Sequence, residues 1–205
     1  MLATLPPGNR HMWRFRPILS GLATFVLLQG ATAADHDKDL SDLMAQLAQS
    51  QHSRASFIEK QFIKILDRPI ESSGELFYDA PDYLEKRTLK PRLESIILER
   101  DIISIKRGKF ARSFSIETYP QLGVLMMSIR QMLSGDLTGL SRSFAHNFES
   151  GINGWTLVLI PHDPKVTLIV SKIILSGGGG EIRNIEFKRG NGDYSVMSLG
   201  MKSNN

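Results

Sequence analysis

Between Ser53 and Glu117, short apolar-rich stretches alternate with turn signals. The pattern predicts strands at about 55–66, 70–79, 83–89, 93–100, 102–107 and 110–117. The separators are Asp67-Arg68-Pro69, Ala80-Pro81-Asp82, Lys90-Pro91-Arg92 and Arg107-Gly108-Lys109. Spacing of this kind belongs to antiparallel hairpins and not to βαβ crossovers. Glu85, Lys86 and Arg87 inside the third strand imply that one sheet face meets water. Strands resume at about 142–149, 154–161, 166–176, 181–189 and 193–200. Trp155, Leu157 and Leu159 alternate there with Thr156, Val158 and Ile160. The run Gly177 to Gly180 reads as a hairpin turn. A phosphate-cradling loop would need a strand–loop–helix context and a following Lys-Ser/Thr, and neither is present.

Two stretches follow a helical period instead. Leu40, Leu43, Met44 and Leu47 keep i, i+3, i+4, i+7 spacing within 35–49, with Asp35, Asp37 and Asp39 in the first turn, where the helix dipole favours them. Tyr119 to Leu133 interrupts the β rhythm. Pro120 suits a first helical position, and Gly135 marks a stop. Leu122, Leu125, Met126, Ile129, Met132 and Leu133 form one apolar stripe. The stripe is rich in Met, which adapts its shape to irregular partners. Pattern alone favours a core helix plugging a barrel; a movable cover is the other reading. Many strands around two such helices describe an incomplete, half-open curved antiparallel β-barrel of about eleven strands, with an N-terminal helix and a central lid helix.

The first residues have a different character. Arg10, His11, Arg14 and Arg16 form a basic segment, and no acidic residue precedes Asp35. An uncharged run from Ile18 to Leu28 follows, then Ala31-Thr32-Ala33. Basic, apolar and then small-x-small is the order of a cleaved signal peptide. The run is shorter than the ~20 residues that span a bilayer, so an uncleaved membrane anchor is the lesser reading. The expected division is a signal peptide over 1–33 and one domain over 34–205, working outside the cytoplasm.

That division changes the charge. The chain has 25 basic and 21 acidic residues, and three of the basic ones (Arg10, Arg14, Arg16) lie in the leader. The remainder carries 22 against 21, so a nucleic-acid partner is not expected. With no cysteine, the domain is held by its core alone, which fits a bacterial periplasm at least as well as a eukaryotic extracellular space.

Catalytic or metal-binding patterns do not emerge. His36, His52, His146 and His162 include no i, i+4 pair, and there is no H-E-x-x-H or G-x-S-x-G. Glu59, Glu71, Glu75, Glu85, Glu94, Glu99 and Asp101 are scattered, and each reads as a solvated sheet-face charge. The expectation is a protein that is no enzyme and needs no cofactor. A half-closed barrel under a helix instead offers space for apolar ligands, and burying an acyl chain is worth ~0.8 kcal/mol per methylene.

Several segments, in order, resemble the LolA-type outer-membrane lipoprotein carriers, and more closely their shorter LolA-like relatives. They are Ala55-Ser56-Phe57-Ile58-Glu59-Lys60-Gln61-Phe62, the stretch from Pro69 to Glu85 with Thr88-Leu89-Lys90-Pro91, Gly135-Asp136-Leu137, Trp155 to Pro161, and Gly192-Asp193-Tyr194-Ser195. The resemblance implies a monomeric periplasmic carrier. It would shield acyl chains of a lipoprotein or another lipid, moving them from an inner-membrane donor complex to an outer-membrane acceptor. It places the lipid cavity at Leu76, Tyr78, Leu84, Leu122, Leu125, Met126, Ile129, Leu133, Trp155, Leu157 and Leu159. For each of these, ordinary core packing is the competing reading. A different class, a periplasmic sensor or adaptor holding a protein segment in its groove, is the alternative. The best-known carriers also latch the lid with an Arg before the Pro of the second hairpin. Here that position is Ala80, which cannot supply the directed donors of a guanidinium, so lid control must differ; Arg87 and Arg92 are only guesses for a substitute. This departure and the short stretch after Leu199 leave the cargo open between a lipoprotein and another lipid.

Overall fold

The computed structural model describes residues 33–200. Its strands are β1 His52–Phe62, β2 Ile70–Asp79, β3 Tyr83–Lys90, β4 Glu94–Glu99, β5 Ile102–Arg107 and β6 Phe110–Ser115. After two helices come β7 Phe144–Gly151, β8 Gly154–Pro161, β9 Val170–Gly178, β10 Glu181–Arg189 and β11 Tyr194–Leu199. The helices are α1 Ala33–Leu47, α2 Pro120–Ser134, α3 Leu137–Ser143 and α4 Pro164–Thr167. The leader's basic segment, its apolar run and Ala31-Thr32 lie outside the described residues, so the division at Ala33 is an expectation only. Among the described residues, no helix is long and apolar enough to cross a membrane.

All eleven strands form one antiparallel sheet in the order β6-β5-β4-β3-β2-β1-β11-β10-β9-β8-β7. Two meanders are thus joined where β1 pairs with β11, with Phe57 opposite Leu199 and Phe62 opposite Tyr194. The edges, β6 and β7, do not pair with each other, so the barrel stays open. The chain leaves the sheet at one edge and re-enters at the other. The residues between, 116–143, contain α2 and α3. This connection forces α2 across the concave face, as a cover on the sheet's inner side.

The register aligns inward-facing side chains in rows. Glu59, Met197, Ile185, Leu175, Leu157 and Phe148 form one row across six strands. Tyr78, Leu84, Leu98, Ile103 and Phe114 form another. Leu40, Met44 and Leu47 of α1 and Met126, Ile129, Met132 and Leu133 of α2 complete a single core with these rows. Removing this apolar area from water at ~25 cal/mol per Å² is the main stabilising term in a domain without disulfides.

The structure departs from the sequence expectations in several places. β1 ends at Phe62, not near residue 66, because the Lys64 amide donates to the Asp193 carboxylate at 3.0 Å and turns the chain off the ladder. The stretch expected as a strand from 166 begins inside α4, where Pro164 occupies the first turn and Asp163 accepts from the Lys165 amide. Helix α3 was not legible; Asp136 caps it by accepting from the Gly139 amide at 2.8 Å. The expected end of β6 is instead a single 3-10 turn at Ile116–Thr118.

Candidate functional site

Helix α2 owes its position to both ends. Its N-terminus follows the 3-10 turn, and Gly123 packs against Ile116 so closely that a Cβ there would overlap the Ile116 side chain. Its C-terminus closes on Gly135, whose φ of 74° provides the left-handed cap and whose amide reaches back to Met132. Between these ends, Leu122, Leu125, Met126, Ile129 and Leu133 face the concave side of the sheet.

Two cavities lie end to end beneath α2. The smaller, about 140 Å³, is lined by Leu76, Tyr78, Leu84, Ile129 and Leu133, together with Leu47 of α1 and Ile182, Ile185 and Leu199 of the second meander. The larger, about 330 Å³, is lined by Leu122, Leu125, Met126, Ile96, Phe187 and Met197. Leu76, Leu84 and Ile129 line both and form the wall between them. Together the cavities make an apolar track running along the helix.

Eight of the eleven residues expected at the cavity therefore lie on this track: Leu76, Tyr78, Leu84, Leu122, Leu125, Met126, Ile129 and Leu133. The other three line neither cavity. Leu157 and Leu159 lie on the concave face of β8 but are fully packed into the core. Trp155 is buried near α1, donates its indole N–H to the Gly179 carbonyl at 3.0 Å and tilts against Phe148. Sequence reasoning missed the contribution of β10 and β11. Its signal was the alternation of Ile185 with Phe187 and of Met197 with Leu199.

The larger cavity has a charged wall. Lys86 faces inward from β3 and pairs with Glu59 of β1, while its ammonium sits 5.2 Å from the Phe57 ring centroid. Glu59 is only 5% exposed. Burial alone would raise its pKa, but Lys86, with Ser195 and Gln61, outweighs burial and holds it below the ordinary value. Gln61, Ser195, Arg189 and Glu94 continue this polar wall, and Arg107 pairs with Glu94. The track is apolar along most of its length and ionic at one mouth.

Two acidic residues expected to be solvated are buried. Glu59 is one, held by its cation inside the sheet. Glu85, on the convex face, is also 5% exposed. It accepts from Arg87 at 3.0 Å, Ser95 at 2.8 Å and Tyr83 at 2.9 Å. Burial opposes its charge, but these donors outweigh it and depress its pKa, while the Tyr83 hydroxyl is pushed up to about 12 by burial and by Glu85. Thus Glu85 and Arg87 share the convex face, and Lys86 alone of the three points inward. Within the smaller cavity, burial raises the Tyr78 hydroxyl, and that hydroxyl has no hydrogen-bond partner. Among the described residues, no group of three His, Cys, Asp or Glu could hold a metal ion.

The class defined by the fold is an open antiparallel half-barrel with a helix laid across an apolar track. Residues 31–204 match the family model described as "Outer membrane lipoprotein carrier protein LolA-like", and the chain belongs to that family. A LolA superfamily protein from Nitrosomonas europaea is 10% identical, with 83% of this chain and 94% of that one covered at a TM-score of 0.46. A putative outer-membrane lipoprotein-sorting protein domain from Vibrio parahaemolyticus is 10% identical, covering 84% and 93% at a TM-score of 0.49. The MucB component of a Pseudomonas aeruginosa MucA/MucB complex is 11% identical; 80% of this chain and 56% of that one align at a TM-score of 0.44. No curated protein matches the chain.

Proposed function

We propose that this protein is a periplasmic carrier. It shields the acyl chains of a lipoprotein or another lipid between the sheet and α2 and ferries them from the inner to the outer membrane. The observation that supports this most directly is the pair of adjoining apolar cavities beneath the 120–134 helix. Family membership supports the same reading. The leader ending near Ala33 would deliver the chain to the periplasm. Each methylene drawn out of water contributes ~0.8 kcal/mol, so a chain of moderate length binds without any polar contact. The part played by this chain is burial and release, and no catalytic step is assigned to it.

Native mass spectrometry of protein recovered from the periplasm tests the reading. The expected result is a co-purified lipid that organic extraction removes, with uptake of a fluorescent fatty acid afterwards. Absence of both a bound lipid and uptake would overturn it. A stable complex with a partner chain and no lipid would establish the adaptor alternative instead.

A further inference from the structure

The strand ends of the sheet form two rims of different character. One rim carries the β2–β3 and β4–β5 turns, with Asp82, Arg100 and Asp101. The other carries the 63–69 loop, the β3–β4, β5–β6 and β10–β11 turns, and the α4 segment. Its loops hold Lys64, Arg68, Arg92, Lys109 and Lys165 against Asp67, Asp163 and Asp193. Two of those three carboxylates are already engaged by backbone amides, Asp163 by that of Lys165 and Asp193 by that of Lys64. Five cations against three carboxylates leave the rim net basic.

The same rim is also apolar. Ile65, Leu66, Leu168 and Leu93 hang from its loops at 90%, 45%, 78% and 67% exposure, and Phe110, the first residue of β6, is 72% exposed. Ile152 is the comparable side chain at the opposite rim, and its two-residue turn holds no basic residue. Two of the aliphatic loops are neighbours across the β10–β11 turn. A Cβ at Gly192 would meet the Lys64 side chain, and one at Gly190 would overlap the Leu168 carbonyl. That turn begins next to Arg189, on the ionic wall of the larger cavity. The aliphatic tips and the charged mouth of the track share one rim.

We propose that this rim docks on an anionic membrane surface, with Ile65, Leu66 and Leu168 entering the interfacial layer and Lys64, Arg68 and Lys165 facing lipid phosphates. Aliphatic tips among cations fit a headgroup–acyl boundary, where apolar burial and attraction to anionic lipid act together. A protein partner fits less well, because Lys is depleted from the centres of protein interfaces. The docking surface deepens the carrier reading, since it would set the cavity mouth against the membrane that supplies or receives lipid.

The test uses the exported protein recovered from the periplasm, mixed with phosphatidylcholine vesicles with or without phosphatidylglycerol and sedimented. Binding is expected only to the anionic vesicles and is expected to weaken as salt rises. Ile65→Ser with Leu168→Ser should lower the partition coefficient about tenfold, and Lys64→Glu with Arg68→Glu by at least as much. These loop side chains are exposed, so circular dichroism of the variants should match that of the parent. Equal binding by parent and variants, equal binding to neutral vesicles, or no vesicle binding at all would overturn the proposal. Fluorescent fatty-acid uptake in solution separates the two readings. Uptake without vesicle binding sinks the docking surface and leaves the carrier. Vesicle binding without uptake does the reverse.

Discussion

The Arg130 guanidinium on α2 donates a hydrogen bond to the carbonyl oxygen of Arg100, the residue that turns β4 into β5 with a φ of 53°. A second guanidinium nitrogen lies 3.9 Å from the Asp101 carboxylate. The Arg130 side chain is only 15% exposed, whereas the Asp101 side chain is 80% exposed, so the ion pair is screened by water while the guanidinium itself is held against the sheet. It joins the cover to the rim of the sheet. In the best-known carriers that the sequence resembles, the latching Arg sits in the second hairpin, where this chain has Ala80. Here the cation comes from the helix and the sheet supplies the acceptor. Neither expected substitute plays the part. Arg87 stacks over Phe77 on the convex face and pairs with Glu85, and Arg92 lies in the β3–β4 turn at the opposite rim from Arg100.

If this tie restrains α2, Arg130→Gln should speed lipid release. A hydrogen bond to a charged donor is worth ~1.5–3 kcal/mol, so release should accelerate by about tenfold or more. Stopped-flow displacement of a fluorescent fatty acid measures it, with Arg87→Gln as the control expected to release at the parent rate. Equal rates in all three proteins would remove Arg130 from the role.

The two groups of apolar residues expected at the cavity should separate by their effects. Ile129 lies in the wall shared by both cavities, so Ile129→Glu should abolish fatty-acid uptake by placing a carboxylate in the track. Leu157 is fully buried away from either cavity, so Leu157→Ala should cost ~2–5 kcal/mol in urea denaturation and leave affinity nearly unchanged. Reversed behaviour would move the binding track to β8.

The contrast shows what the sequence could and could not reveal. Strand spacing and the stripe on α2 are local patterns, and they located nearly every element and the helical side of the track. The pairing of β1 with β11 is a long-range contact that no local period encodes, so Ile185, Phe187, Met197 and Leu199 went unassigned. For the same reason the burial of Glu59 was not legible. Its cation, Lys86, is 27 residues away, on the far side of β2, and meets it only after folding. Helix α3 is a single Asp-capped segment too short to show a periodic stripe.

The Tyr78 hydroxyl offers a test inside the smaller cavity. It is buried and makes no hydrogen bond. Tyr78→Phe should therefore raise the stability of the lipid-free protein, by ~1 kcal/mol in urea denaturation, since an unpaired buried hydroxyl is removed with little change of shape. A loss of stability would show that the hydroxyl is satisfied in solution.

Glu59 and Glu85 tie stability to pH. Both carboxyls are held below their ordinary value of 4.5 in the folded protein. Their unfolded counterparts bind protons first as pH falls, so protonation favours the unfolded chain. The stabilising contribution is complete above 4.5 and disappears as pH falls through the folded values. Urea midpoints should be level through the neutral range and drop progressively below about pH 4.5. Glu59→Gln should flatten that acid limb while lowering stability at neutral pH, because it leaves Lys86 unpaired in the cavity wall. The double variant Glu59→Gln with Lys86→Met should keep the flattened limb and recover part of the neutral-pH loss. An acid limb of unchanged steepness in both variants would assign the pH response to other carboxylates.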